Sequence, residues 1–294
     1  MGRFTIKNSC TKEKIAEYVF LLMASISILA ILVICLFLLK DGLPGILEIG
    51  PINFLFGSSW KPSNIPAEFG ILPMILGSIY VTLGALIIGV PIGILTAIFM
   101  AKFCPSKIKS QVKSIISILS GIPSVVYGFF GMVVIVPMIR EYFPGNGNSM
   151  LTASILLGIM ILPTIIELST SAIDAVPTSY YEGALALGAT HEESTFFVVV
   201  PAAYSGIMAS IVLGMGRAIG ETMAVVMVAG NQTILRAPWE IFKGTRTLTS
   251  NIIMEMGYAS GLHSDALIST GLILFIFILV INMSFNVIKR RLKQ

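Results

Sequence analysis

Followed along the chain, apolar and polar positions sort into six long apolar runs, at about 18–39, 71–100, 114–139, 151–173, 201–230 and 266–288, with polar segments between them. A helix needs roughly 20 apolar residues to cross the ~30 Å hydrocarbon layer of a bilayer, and each run reaches that length. The pattern predicts an all-α polytopic membrane protein of six transmembrane helices, one domain over residues 1–294. The second and fifth runs exceed a straight crossing. Tilt, a break at Pro91 or extension past the lipid would absorb the excess.

Composition supports this class, and charge adds an orientation. Hydrophobic residues make up 55% of the chain and charged ones 12%, with a mean hydropathy of +0.92, values that a water-soluble core does not reach. Lys and Arg near helix ends favour the cytoplasmic side. With both termini inside, twelve fall there, at Arg3 to Lys14, Lys102 to Lys113 and Lys289 to Lys293; six lie opposite, and Arg217 alone sits within a run. The 174–200 segment is then cytoplasmic. The first run is full length with no small-residue cleavage site after it, so a retained anchor in the cell membrane is expected. The net charge of +4 reflects the same bias and gives no warrant for nucleic-acid binding.

Few residues carry chemistry of their own. Cys10 and Cys104 fall on the inner face and Cys35 within the first run, so no pair faces an oxidising outside. His191 and His263 belong to opposite faces and share no metal. No Gly-x-x-x-x-Gly-Lys-Ser/Thr sequence occurs, so any ATP must be bound by another subunit; the chain is expected to be non-catalytic and without cofactor. Two long outer loops, 40–70 with Trp60 and 231–265 with Trp239, are expected to cap the bundle, to anchor at the interface, or to receive a soluble partner.

Charges inside the runs are the sharpest signal, because each costs about 2.5–3.5 kcal/mol at a helix centre. They are Glu167, Arg217 and Glu221. Arg217 and Glu221 are four apart, hence on one helical face and able to pair, among the small residues Gly214, Gly216, Ala218, Gly220 and Ala224. Two roles are open for the pair. It either holds the bundle together, or Arg217 offers a permanently charged fork to an oxyanion while Glu221 holds the fork in place. Glu167 lies roughly 24 Å along the fourth run; two placements are open for it, paired or solvated near the inner boundary or lining a path, and it is assigned no site role.

The 174–200 segment runs Glu182-Gly183-Ala184, then Ala186-Leu187-Gly188-Ala189-Thr190, then a polar stretch before Val200-Pro201. Small residues there let another protein's backbone come close, and Gly188 can end one short helix so that the next leaves at a fixed angle. The segment resembles the EAA coupling loop of ABC importer permeases, with a Gly at the second position of the starting triplet. A longer resemblance covers residues 69–231. Gly216-Arg217-Ala218-Ile219-Gly220-Glu221-Thr222-Met223-Ala224-Val225, followed by Ala229-Gly230-Asn231, is similar to the fifth-span signature of phosphate ABC importer permeases of the PstC type. Phe69-Gly70-Ile71-Leu72-Pro73, Gly121-Ile122-Pro123-Ser124 and Ile161-Leu162-Pro163-Thr164 agree with it.

The resemblance implies a heterodimer with a PstA-like permease, two ATP-binding subunits below and an extracytoplasmic phosphate-binding protein above. It implies that Glu182, Gly183, Ala184, Gly188 and Ala189 contact the ATPase and that Arg217 and Glu221 line the substrate path. Other oxyanions, sulfate or molybdate, stay open within the class. An ion-coupled secondary transporter is the alternative outside it, and that class has no need of a rigid coupling loop.

Overall fold

The computed structural model describes residues 4–291. Arg3 and Lys293 of the charge argument lie outside them, as do the side chains of Lys7, Cys10, Lys12 and 289–291. Among the described residues, five helices are long and apolar enough to cross a membrane, the first to fourth and the sixth spans: Glu13–Ile49, Leu72–Phe103, Ser124–Tyr142, Met150–Asp174 and Leu262–Ser284. A bent pair, His191–Ala202 and Tyr204–Gly220, meets at 68° and is long and apolar enough only when counted together; as one broken span it is the fifth, with Tyr204–Gly220 its longer member. The mostly helical, six-span expectation is borne out.

Two runs predicted as continuous are broken. The third begins at Ser124, not 114, because the preceding residues form a separate helix, Ser106–Gly121. Ile122 between them is extended, at φ −70 and ψ 127, since a residue before proline is pushed out of the helical region. The fifth run ends its helix at Gly220; Glu221 is extended at ψ 127, and a short helix restarts at Met223–Val228. By contrast Pro91 breaks nothing. The second span runs through it for 32 residues, about 48 Å at 1.5 Å per residue, so its excess length is extension.

The second and fourth spans form the centre of the bundle, with Val81, Ala85, Leu156, Leu157, Ile161 and Ile165 buried between them and the third span. Small residues permit the close approach. A Cβ at Gly84 would stand 2.4 Å from Ser154 Oγ. The first and sixth spans pair separately, where Ser269 Oγ–H donates to the Gly42 carbonyl at 2.6 Å. No residue in the most apolar stretch of the first span is buried, as in a lipid- or partner-facing helix.

At the end opposite the 174–200 segment, the two long loops knit into one cap. A short helix, Leu248–Glu255, and a two-residue hairpin pairing Trp60 with Phe69 meet at Glu255. Trp60 Nε1–H donates to Glu255 Oε2 at 2.8 Å, His263 Nε2 lies 2.9 Å from the same oxygen, and Arg246 Nη1 reaches Oε1 at 2.5 Å. Arg246 also donates to Asn251 Oδ1 at 2.9 Å and, through Nε, to the Asn231 carbonyl at 3.0 Å. Trp60 is therefore not an interface anchor, as its sequence context had suggested; it is 4% exposed, whereas Trp239 is 80% exposed.

Burial pushes the Glu255 carboxyl up, but hydrogen bonds from Trp60, Arg246 and His263 and the Arg246 charge outweigh it and hold the group below the ordinary glutamate range. A depressed folded value contributes stability that is present above the unfolded value of about 4.3 and is lost as pH falls through the folded one. Thermal unfolding in detergent should accordingly show a midpoint that drops only in that acid window. Glu255→Ala should reduce the acid dependence and lower stability by about 3–5 kcal/mol at neutral pH, because the Arg246 charge loses its acid in a largely buried setting.

Candidate functional site

The fifth span carries its charge in its last turn. Arg217 lies three residues before the helix ends at Gly220, a position where the helix dipole favours a cation. Its Nη1 donates to Thr164 Oγ1 on the fourth span at 3.1 Å. The predicted pairing with Glu221 is not formed. A four-residue spacing puts two side chains on one face only while the helix continues, and here it stops between them. Glu221 instead turns to the restarted helix, where Oε1 accepts from the Ala224 backbone N–H at 3.2 Å. It thereby satisfies one of the orphan donors of that N-terminus. Its carbonyl accepts from Thr249 Oγ1 at 3.3 Å, which ties the break to the cap helix.

Arg217 thus has no acid in ion-pair range among the described residues, and it is half-buried. Tyr127 of the third span lies within electrostatic reach of it. The Tyr127 hydroxyl donates to the Leu119 carbonyl at 2.8 Å, bridging the Pro123 break. The two broken spans thus pack together, Gly128 against Ala224 and Met227, near a guanidinium that has no counter-ion among the described residues. A strong, planar hydrogen-bond donor without a counter-ion suits a hydrated anion that must be held briefly and then released.

The 174–200 segment folds as two helical arms about a turn. The first arm, Thr178–Ala186, ends at Gly188, whose φ of +90 places it in the left-handed region open to glycine. The second arm begins with a capping box: Thr190 accepts from the Glu193 N–H at 3.2 Å, and Glu193 Oε2 accepts from the Thr190 N–H at 2.8 Å. Tyr181 Oη and His191 Nδ1, 2.7 Å apart, join the arms, and the Phe103 ring at the foot of the second span lies 4.6 Å from the His191 ring. The turn presents Glu182, Gly183, Leu185, Leu187 and Gly188 outward, Leu187 at 91% exposure, with Ala189 half-exposed. Ala184 differs from the expectation for it. It is buried against its own chain, so its small size serves packing within the loop.

Sequence reasoning missed Thr164 as the partner of Arg217. Thr164 appeared only as the end of Ile161-Leu162-Pro163-Thr164; a lone hydroxyl in an apolar run gives no sign of the helix it faces. Glu167 is exposed and one turn from Thr164. The tyrosine–histidine link across the turn was likewise invisible, since its partners are ten residues apart on separate arms.

Residues 89–294 match the family described as "Binding-protein-dependent transport system inner membrane component". Among curated proteins, the chain is 42% identical over 267 residues to the "Probable ABC transporter permease protein YqgH" of Bacillus subtilis (strain 168), covering 88% of this chain and 86% of that protein. It is 34% identical over 250 residues to the "Phosphate transport system permease protein PstC" of Mesorhizobium japonicum, covering 78% and 75%. Among solved structures, a chain of the bacterial alginate ABC transporter in complex with an alginate pentasaccharide-bound periplasmic protein superimposes with a TM-score of 0.65 at 16% identity, covering 97% of this chain and 98% of that one. That likeness concerns the fold.

Proposed function

The chain belongs to the family of binding-protein-dependent transport system inner membrane components, and from that premise we propose that it is the permease subunit of an ATP-driven inorganic phosphate importer, forming half of the translocation path. As a family member it is the non-catalytic membrane component, and ATP hydrolysis belongs to a partner ATPase. The observation that carries the phosphate assignment is Arg217, an intramembrane guanidinium held by Thr164 with no acid among the described residues to neutralise it, in a chain similar over most of its length to PstC proteins.

Phosphate carries between one and two negative charges near neutral pH and is strongly hydrated. One Arg per half-transporter replaces part of that hydration without forming a trap. Glu221 supports the path by capping the restarted helix, which leaves the Arg217 charge available to substrate. The other half of the path is a PstA-like permease, with two ATP-binding subunits on the cytoplasmic side and a phosphate-binding protein outside; selectivity rests with that receptor. Both termini and the 174–200 segment face the cytoplasm, and Glu182, Gly183, Gly188 and Ala189 meet the ATPase.

Purification from native membranes tests this assembly. The chain should bring down a second permease, an ATPase and a binding protein, and the reconstituted complex should accumulate phosphate, but not sulfate, only with ATP and the binding protein. In the same membranes Lys61→Cys should be labelled by an impermeant thiol reagent from outside and Glu192→Cys only from inside; both residues are exposed. ATP-independent uptake, uptake of sulfate in place of phosphate, or external labelling at 192 would overturn the proposal.

A further inference from the structure

We infer that Glu167 lines the aqueous exit from the Arg217 site to the cytoplasm and speeds release of the anion; the anion's identity and the direction rest on the function proposed above. Glu167 lies seven residues before the end of the fourth span at Asp174, about 10 Å inside it. It is exposed, and no ion-pair or hydrogen-bond partner meets its carboxylate among the described residues. A charged group left bare within a span is costly against lipid, so such groups face water, another protein or a transport path.

The register of the helix selects among these. Thr164, Glu167, Ser171 and Asp174 follow one another at steps of three, four and three, and so share one face. At the top of this polar stripe, Thr164 holds the Arg217 guanidinium at 3.1 Å. At its foot, Asp174 lies 3.7 Å from Lys109 at the end of the bundle that carries the coupling segment. Much of the rest of the same stretch is taken up by packing: Ile165, Ile166 and Ile173 are buried, and Ser169 Oγ lies 2.7 Å from Ser210 Oγ on the fifth span, while Leu168 is exposed beside the stripe. The stripe is therefore continuous with the anion contact and leads from it to the loop end. An anion leaving Arg217 passes the Glu167 carboxylate within about one helical turn, where like charge weakens its hold and discourages return from the cytoplasm.

The assembled transporter tests this, with Cys10, Cys35 and Cys104 replaced by Ser, in inside-out vesicles for the labelling and in right-side-out vesicles loaded with ATP and phosphate for the uptake. Glu167→Cys should react with a charged, membrane-impermeant methanethiosulfonate added from the cytoplasmic side. Glu167→Gln should strengthen inhibition of uptake by cytoplasmic phosphate about fivefold, the effect of one charge at a few ångströms in a wet site, with half-saturation by the loaded binding protein unchanged. Glu167→Asp should restore the parent's behaviour. Reaction only with a lipid-soluble maleimide, dissociation of the two permeases in Glu167→Gln, or unchanged inhibition by cytoplasmic phosphate would each overturn the inference. The labelling needs no transport, so a parent that moves no phosphate would defeat the proposed function while leaving the placement of Glu167 to be read on its own.

Discussion

Replacing Arg217 with methionine is expected to lower phosphate uptake by about 10–100-fold while the transporter assembles normally, since hydrogen bonds to charged groups are worth roughly 1.5–3 kcal/mol. The expectation of normal assembly comes from the geometry of the break. Had Arg217 and Glu221 formed a buried pair, removing one partner would strand the other at about 3–5 kcal/mol, and only a double substitution would be informative. They do not pair. Glu221 answers to the Ala224 N–H, and Arg217 to the Thr164 hydroxyl, so Arg217→Met leaves no stranded acid and the two substitutions should be nearly additive. Glu221→Gln keeps an oxygen for the Ala224 N–H and should retain most of the rate, whereas Glu221→Leu removes the cap and should lose about 1 kcal/mol of stability. Arg217→Lys should recover part of the rate, because a point charge lacks the planar fork. Uptake near the parent rate in an assembled Arg217→Met transporter would remove this residue from the path.

The spans legible from apolar run length were those whose ends are set by local chemistry. The fourth run, read at 151–173, is a helix over Met150–Asp174, started by Ser149, whose side chain accepts from the Thr152 N–H at 3.2 Å. The second was legible as well, although Pro91 suggested a break that tertiary packing against the fourth span overrides. The third and fifth were misjudged at breaks that apolar averaging hides. Pro123 is a local signal for one of them. Gly220-Glu221-Thr222 is weaker, since its break depends on the capping contact to Ala224 and on Thr249 arriving from the cap helix 28 residues later.

The same division holds for side chains. Arg217 was found because an isolated charge in an apolar run is conspicuous, while its partner Thr164 lies 53 residues away on another helix. Glu255 looked like an ordinary loop acid. Its role as the junction of the cap depends on Trp60, which is 195 residues distant in the chain, and no spacing rule connects such positions.

Gly183→Trp is expected to detach the ATPase and abolish uptake without unfolding the membrane bundle. Gly183 lies in the helical arm Thr178–Ala186, is exposed, and has nothing within 4 Å of where its Cβ would stand. A tryptophan there meets open space in the isolated chain, so bundle stability should stay within about 0.5 kcal/mol of the parent. In the complex the same volume would be occupied by the ATPase surface that receives this arm. Interface centres lose at least ~2 kcal/mol on disruption, enough for roughly a 30-fold fall in affinity. Gly188 is the poorer test. Its φ of +90 strains any side chain, so a substitution there disturbs the turn and the contact together. Gly183→Ala provides the control: it adds one methyl and raises helix propensity by about 1 kcal/mol, and it should keep both the ATPase and transport. Normal ATPase retention with normal uptake in Gly183→Trp would show that this face of the loop is not where the two subunits meet, and the coupling contact would then have to be sought on the arm that begins at His191.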